Sequence, residues 1–128
     1  MSNKAIVTEK APAAVGPYSA AIQAGNCIHV SGQLPIDPAT GAFAGEDIAS
    51  QTRQSLTNIK NILEAAGATM ANVAEVTVLL DDINDFAAFN AIYAESFGET
   101  LPARSCVAVD KLPKGALVEV EVIAEVVE

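Results

Sequence analysis

Arg104, Cys106 and Glu119 are the residues of this chain whose types and spacing could do chemistry together. Side chains alternate along a strand, so Arg104 and Cys106 share a face while Val107 and Val109 take the other, which the apolar pattern assigns to the core. If Val118 and Val120 of a neighbouring strand also face the core, Glu119 points away from it, beside Arg104 and Cys106. A guanidinium there can clamp a carboxylate ligand through two parallel hydrogen bonds. A carboxylate close by could position or deprotonate a water. The same spacing also describes an ordinary surface Arg–Glu pair across two strands, which contributes little.

Other chemistries find less support. A catalytic thiol needs a base or another means of lowering its pKa, and nothing in the sequence places the only histidine, His29, beside Cys106. Cys106 reads instead as a small pocket-lining residue. One histidine and two distant cysteines give no ligand-spaced cluster, so no metal site is expected. No phosphate loop or dinucleotide fingerprint is present. Asp81 and Asp82 suit the positive end of a following helix. Tyr18 is a lone aromatic in an extended segment, Ser31-Gly32-Gln33 ends a strand where glycine allows close backbone approach, and Asn90 borders an aromatic helical stripe. Each of these has an equally ordinary structural reading.

The elements that must position these residues follow from periodicity. Tyr18 to Ile22 and Cys27 to Gly32 read as short strands around the Gly25-Asn26 turn. Asp37-Pro38-Ala39-Thr40-Gly41 is a loop by composition. Ile48, Thr52, Leu56, Ile59, Leu63 and Ala66 recur at helical spacing and predict a helix over Glu46 to Ala66, ended by Gly67. Val73 to Leu80 predicts a strand. Asn84 to Phe97 predicts a second helix with Phe86, Phe89, Tyr93 and Phe97 as its stripe. Arg104 to Val109 and Leu117 to Val127 predict two strands joined through Leu112-Pro113-Lys114-Gly115, hence antiparallel neighbours. The result is an α+β layer pair with helices on one face of a mixed sheet. On the last strand, Val118, Val120, Val122, Ala124 and Val126 form one side. The other mixes Leu117, Ile123 and Val127 with Glu119, Glu121 and Glu125, as a face covered by other subunits would, with wet pockets in it.

Bulk properties set the class. A chain of 128 residues suits one domain, and 51% hydrophobic against 18% charged residues exclude disorder and favour oligomerisation. A net charge of −9, with seven scattered Lys and Arg, disfavours nucleic acid and anionic membranes as partners. The N-terminal residues lack a signal-peptide core, and the longest apolar run carries three glutamates and is too short to span a bilayer. Two cysteines point to a reduced, cytoplasmic protein.

Together, Gly16-Pro17-Tyr18-Ser19, Gly25-Asn26, Ser31-Gly32-Gln33-Leu34-Pro35, Asp37-Pro38 with Thr40-Gly41, Asp85-Phe86 with Asn90, Pro102-Ala103-Arg104-Ser105-Cys106, and Leu112-Pro113 with Val118-Glu119-Val120-Glu121 resemble the reactive intermediate deaminase (Rid) family, in particular its RidA-type 2-iminobutanoate/2-iminopropanoate deaminases. The matching stretches run from Ala11 to Glu121 in family order. The resemblance implies a single Rid-type domain over residues 1–128, a chorismate-mutase-like fold, and a homotrimer with a cleft between each pair of subunits. It implies that Arg104 binds the substrate carboxylate, that Glu119 holds the hydrolytic water, and that Tyr18, Ser31, Gly32, Asn90 and Cys106 line the pocket. The implied reaction hydrolyses 2-imino acids, the tautomers of enamines such as 2-aminoacrylate, to 2-oxo acids and ammonia, and so protects PLP enzymes. It needs no cofactor. The alternatives are a 2-oxo-acid-binding trimer without turnover, acting as a sensor or chaperone, and an RNA-directed role that the acidic charge opposes.

Overall fold

A computed structural model describes residues 3–99 and 101–126. Six strands form one sheet: β1 (Lys4–Ile6), β2 (Ala21–Ala24), β3 (Cys27–Gln33), β4 (Val73–Leu80), β5 (Ala103–Ala108) and β6 (Val118–Glu125). Their spatial order is β1-β2-β3-β6-β4-β5, with β4 and β5 parallel and the other pairs antiparallel. Helix α1 (Ile48–Ala65) packs on β3 and β6, and α2 (Phe86–Ser96) packs on α1. The expected mixed sheet with two helices on one face is therefore observed.

Local chemistry explains most boundaries. The α1 helix begins two residues later than its periodicity suggests because Asp47 caps it, accepting from Ser50 N at 3.1 Å and Ser50 Oγ at 2.6 Å. It ends at Ala65 ahead of Gly67, whose φ of +83° few other residues tolerate. The α2 helix starts at Phe86 rather than Asn84, because Ile83–Asp85 forms a 3₁₀ turn in which Asp82 accepts from Asn84 N at 2.9 Å. The tight turn at Gly25, with φ of +61°, sets Ala24 opposite Cys27, so β2 runs from Ala21 to the turn. Tyr18 lies before the strand, not in it. The expected strand end at Val127 lies outside the described residues.

Two expectations about the sheet are overturned. First, β5 and β6 are not neighbours: β4 lies between them. The β4–α2–β5 segment is a crossover that delivers β5 parallel to β4, and β6 fills the opposite edge of β4 in antiparallel register. The Leu112–Gly115 segment is part of a longer link crossing the end of β4, where Leu117 O accepts from Asp81 N at 3.0 Å. Second, Val107 does not face the core. Val76, Val78 and Leu80, all fully buried, are in register with Arg104, Cys106 and Ala108 of β5 and with Val122, Val120 and Val118 of β6. Arg104 and Cys106 therefore project toward the helices, whereas Val107 is 49% exposed on the opposite face. Glu119 shares that opposite face, in register with Leu79.

The helix side holds the hydrophobic cluster, built from α1, Phe89, Tyr93 and the inward valines of β4 and β6. The other side mixes apolar and acidic groups. His29 and Ile123 lie in register there, as do Thr77 and Glu121, and Leu79 and Glu119. No helix packs on this face among the described residues.

Candidate functional site

The predicted site residues fall into two groups on opposite faces of the sheet. The first surrounds Arg104 on the edge strand β5. Its Nη1 donates to Asn90 Oδ1 at 2.7 Å. Three aromatic rings stand around the guanidinium: its Cζ lies 4.8 Å from the centroid of Tyr93, 5.6 Å from Phe86 and 5.8 Å from Phe89. All four partners come from α2, because helical spacing places Phe86, Phe89, Asn90 and Tyr93 on the side turned to β5. The one ion pair among the described residues, Arg53–Glu95 at 3.5 Å, is elsewhere on the surface. Arg104 is thus a half-buried cation without a carboxylate partner among the described residues. It borders a depression of about 300 Å³ with Asn90, Tyr93, Leu101 and Pro102.

Cys106 follows two residues on, packed against the core cluster. Burial pushes its thiol pKa up, with Arg104 opposing in part. That is the reverse of what an activated nucleophile requires. Burial likewise raises the Tyr93 phenol, whose hydroxyl has no hydrogen-bond partner.

The second group lies beside Glu119 on the helix-free face. Tyr18, Ser31, Gly32, Leu34, Ile36 and Glu119 line a cavity of about 470 Å³. Ser31 Oγ donates to Ser19 O at 2.6 Å and so ties the segment carrying Tyr18 to β3. Tyr18 is 49% exposed at the rim. The β3–β6 register breaks between Val30 and Gln33, and Gly32 sits in that irregularity. A Cβ on Gly32 would come within 2.7 Å of Glu119 Oε2, so the carboxylate lies directly over the glycine. Burial, then the charge of Glu121, raises the Glu119 pKa. A desolvated carboxylate held above its ordinary range suits a general base.

One chain does not unite the two groups. Val107 of β5 and Glu119 of β6 flank Leu79 of β4 on the helix-free face, about 10 Å apart by strand spacing. Arg104 projects from the other face. The expectation that Arg104, Cys106 and Glu119 share a surface therefore fails, because Val107 points outward on an edge strand instead of into the core. Phe86, Phe89 and Tyr93 as walls around Arg104, and Leu34 and Ile36 as walls near Glu119, did not follow from spacing. The α2 aromatic stripe carried the signal for the first set once α2 is read as the crossover leading into β5. Among the described residues no cluster of three or more His, Cys, Asp or Glu side chains could hold a metal, and no helix is long and apolar enough to cross a membrane.

Comparison with known proteins bears on the family and the fold. Residues 8–126 match the family model described as endoribonuclease L-PSP. A RutC family protein of Pyrococcus horikoshii is 57% identical over 119 residues, covering 93% of this chain and 94% of that one. The 2-iminobutanoate/2-iminopropanoate deaminase of Salmonella typhimurium is 50% identical over 125 residues, 95% of this chain and 97% of that protein. The crystal structure of a Rid family protein of unknown function from Yersinia pestis superposes with a TM-score of 0.94 at 48% identity, over 98% of this chain and all of that one. The chain belongs to the Rid family, the RutC and L-PSP group of proteins.

Proposed function

We propose that this protein is a 2-iminobutanoate/2-iminopropanoate deaminase whose active site is completed between copies of the chain in a homotrimer. The observation that carries the reading is a half-buried guanidinium with no carboxylate partner among the described residues and a desolvated carboxylate, placed on opposite faces of one chain, in a family with a deaminase of that specificity. Arg104 of one copy and Glu119 of a neighbouring copy then form one cleft, with Asn90 and Cys106 on the arginine side and Tyr18, Ser31 and Gly32 on the other. The mixed face around Leu79, Val107 and Ile123 supports contact between copies.

The chemistry is hydrolysis of a carbon–nitrogen double bond. Arg104, one Nη1 hydrogen engaged by Asn90, presents Nη2 and Nε to the substrate carboxylate. This anchoring fixes the imine carbon near a water held by Glu119. Glu119 takes a proton as the water oxygen bonds to the carbon and the C=N electron pair moves to nitrogen. That proton passes to nitrogen and gives the carbinolamine; Glu119 then takes the hydroxyl proton, a proton is returned to the nitrogen as the C–N bond breaks, ammonia leaves, and the carbonyl of the 2-oxo acid forms. The imine carbon is already electrophilic, so no covalent intermediate, metal or organic cofactor is invoked. Neutral Cys106 acts as wall. The product balance is one imino acid and one water to one 2-oxo acid and one ammonia.

Residues 1–128 act as one domain, in the cytoplasm, removing imino acids that arise from enamines such as 2-aminoacrylate before these damage PLP enzymes. The acidic charge and the half-buried, unpaired cysteines support this setting and oppose RNA or membrane as partner. The direct test generates 2-iminobutanoate and 2-iminopropanoate in the cuvette with an amino-acid oxidase and follows their loss. Acceleration by the protein supports the reading, and 2-oxobutanoate binding without acceleration would replace it with a sensor.

A further inference from the structure

The inner face of α1 is unusually polar: one of its side-chain amides, Asn58, is committed to the wall of the Glu119 cavity, and another, Gln51, to the backbone beside it. Asn58 is fully buried. Its Nδ2 donates to Leu34 O at 3.3 Å and to Ile36 O at 2.9 Å, and its Oδ1 accepts from Gln54 Nε2 at 2.8 Å. Gln51, 3% exposed, donates from Nε2 to Gly45 O at 3.0 Å and accepts at Oε1 from Leu117 N at 2.8 Å. The two amides thus grip both ends of the loop that follows β3, and Gln51 also holds the backbone two residues before Glu119. By contrast, the buried hydroxyls of Thr52 and Ser55 on the same face have no partner. Leu34 and Ile36 are apolar groups in the wall of the cavity that also contains Tyr18, Ser31, Gly32 and Glu119. Arg104 anchors the carboxylate common to every 2-imino acid, so discrimination among them must come from groups that meet the variable side chain.

We propose that Leu34 and Ile36 form the wall that limits the size of the substrate side chain, and that Asn58 is the positioning residue that fixes this wall. The proposal rests on the reading of the cavity as part of a deaminase site. Asn58 touches no substrate. It acts by donating to the Ile36 carbonyl, which has no other donor among the described residues, and by adding a second donor to the Leu34 carbonyl, which also accepts from Ile36 N at 2.8 Å; this holds the Leu34–Ile36 backbone at one distance from Glu119. A helix amide is a firmer support than the loop alone, whose own closure is the Ile36–Phe43 bridge and the Asp37–Gly41 turn.

The test is a ratio. Rates are measured on imino acids generated by amino-acid oxidase from alanine and from leucine, and kcat/KM for the long side chain is divided by that for the short one. The wild-type protein should favour the short substrate. Leu34→Ala should raise the ratio about tenfold or more, the usual worth of a few methylenes in a pocket. Asn58→Ala should move it the same way, about threefold or more. Loss of fold or of general activity lowers both rates together and leaves the ratio in place, so the ratio separates wall placement from mere stability. Should Asn58→Ala not fold, Gln54→Ala, which frees the Asn58 amide from its neighbour, decides the matter by the same shift in smaller measure. A ratio unchanged in folded Asn58→Ala, or in Gln54→Ala where that variant stands in for it, or a wild-type protein indifferent to chain length, overturns the inference while leaving the deaminase reading standing. No acceleration with either substrate overturns both.

Discussion

Glu119 carries the two consequences that belong to the residue scale. Its carboxyl holds a proton more tightly in the folded chain than in the unfolded one, since burial and then Glu121 raise its pKa. Folding therefore takes up a proton between the ordinary carboxylate range and the raised value. Stability gains as pH falls through that window, and above it the ionised, desolvated group is a standing cost. Glu119→Gln should remove this part of the pH dependence and leave the protein at least as stable at neutral pH. Chemical denaturation at several pH values checks it, and a variant less stable at every pH would mean that the carboxylate is a structural partner. As the proposed base it should also lose about two to four orders of magnitude in imine hydrolysis while retaining 2-oxobutanoate binding. Gly32 supplies a gentler probe of the same group. The Cβ of Gly32→Ala would meet Glu119 at 2.7 Å from Oε2 and 3.1 Å from Cγ, and a flexible side chain can move aside. Unfolding should shift little, whereas kcat should fall about a hundredfold, the effect of a misplaced catalytic group. A fully active variant would place the reacting water elsewhere.

At the scale of elements, α2 aims Arg104. Phe86 is 39% exposed yet stands 5.6 Å from the guanidinium carbon. That exposure makes it the ring of the three that can be removed with least harm to the core. Phe86→Ala forfeits a partly exposed cation–π contact of about 0.5–1 kcal/mol. It should raise KM about two- to fivefold with kcat nearly constant, and a fall in kcat at constant KM would contradict the positioning role. The same element explains what the sequence could and could not disclose. Val73 to Leu80 was legible because its alternation meets a buried face directly, and α1 because its apolar repeat is long. The β1 strand offers three residues and one buried side chain, Ile6, too little for a period to show. The orientation of β5 is not legible in the sequence for a different reason. Alternation tells which residues share a face but not which face is inward, and the apolar Val107 was the wrong guide on an edge strand. A helix between two strands is a signal for a parallel return, which β4–α2–β5 makes between neighbours, whereas β3 and β4, joined through α1, have β6 between them.

In the whole molecule, the sequence discloses which residues form the proposed site but not how they are arranged. Spacing alone puts Arg104, Cys106 and Glu119 on one surface, and the resemblance to the Rid family gives these three, with Tyr18, Ser31, Gly32 and Asn90, their expected roles. The fold separates them through the thickness of the sheet, which turns a question about one chain into one about assembly. In a cyclic oligomer each interface repeats the same pair of surfaces. The proposed composite site takes Arg104 from one copy and Glu119 from the next. Arg104→Ala chains retain Glu119, and Glu119→Gln chains retain Arg104. Each homogeneous variant should be inactive, because every cleft lacks one group. Chains mixed in equal amounts, unfolded and refolded together, should regain about a quarter of wild-type activity, since each cleft draws each half at random from two kinds of chain. The mixture must be compared with the same variants refolded apart and then combined, which should stay inactive while subunits do not exchange. Light scattering on the same samples gives the number of chains per particle. A mixed sample that remains inactive with its oligomeric state intact would require both groups to come from one chain, and the composite cleft would have to be abandoned.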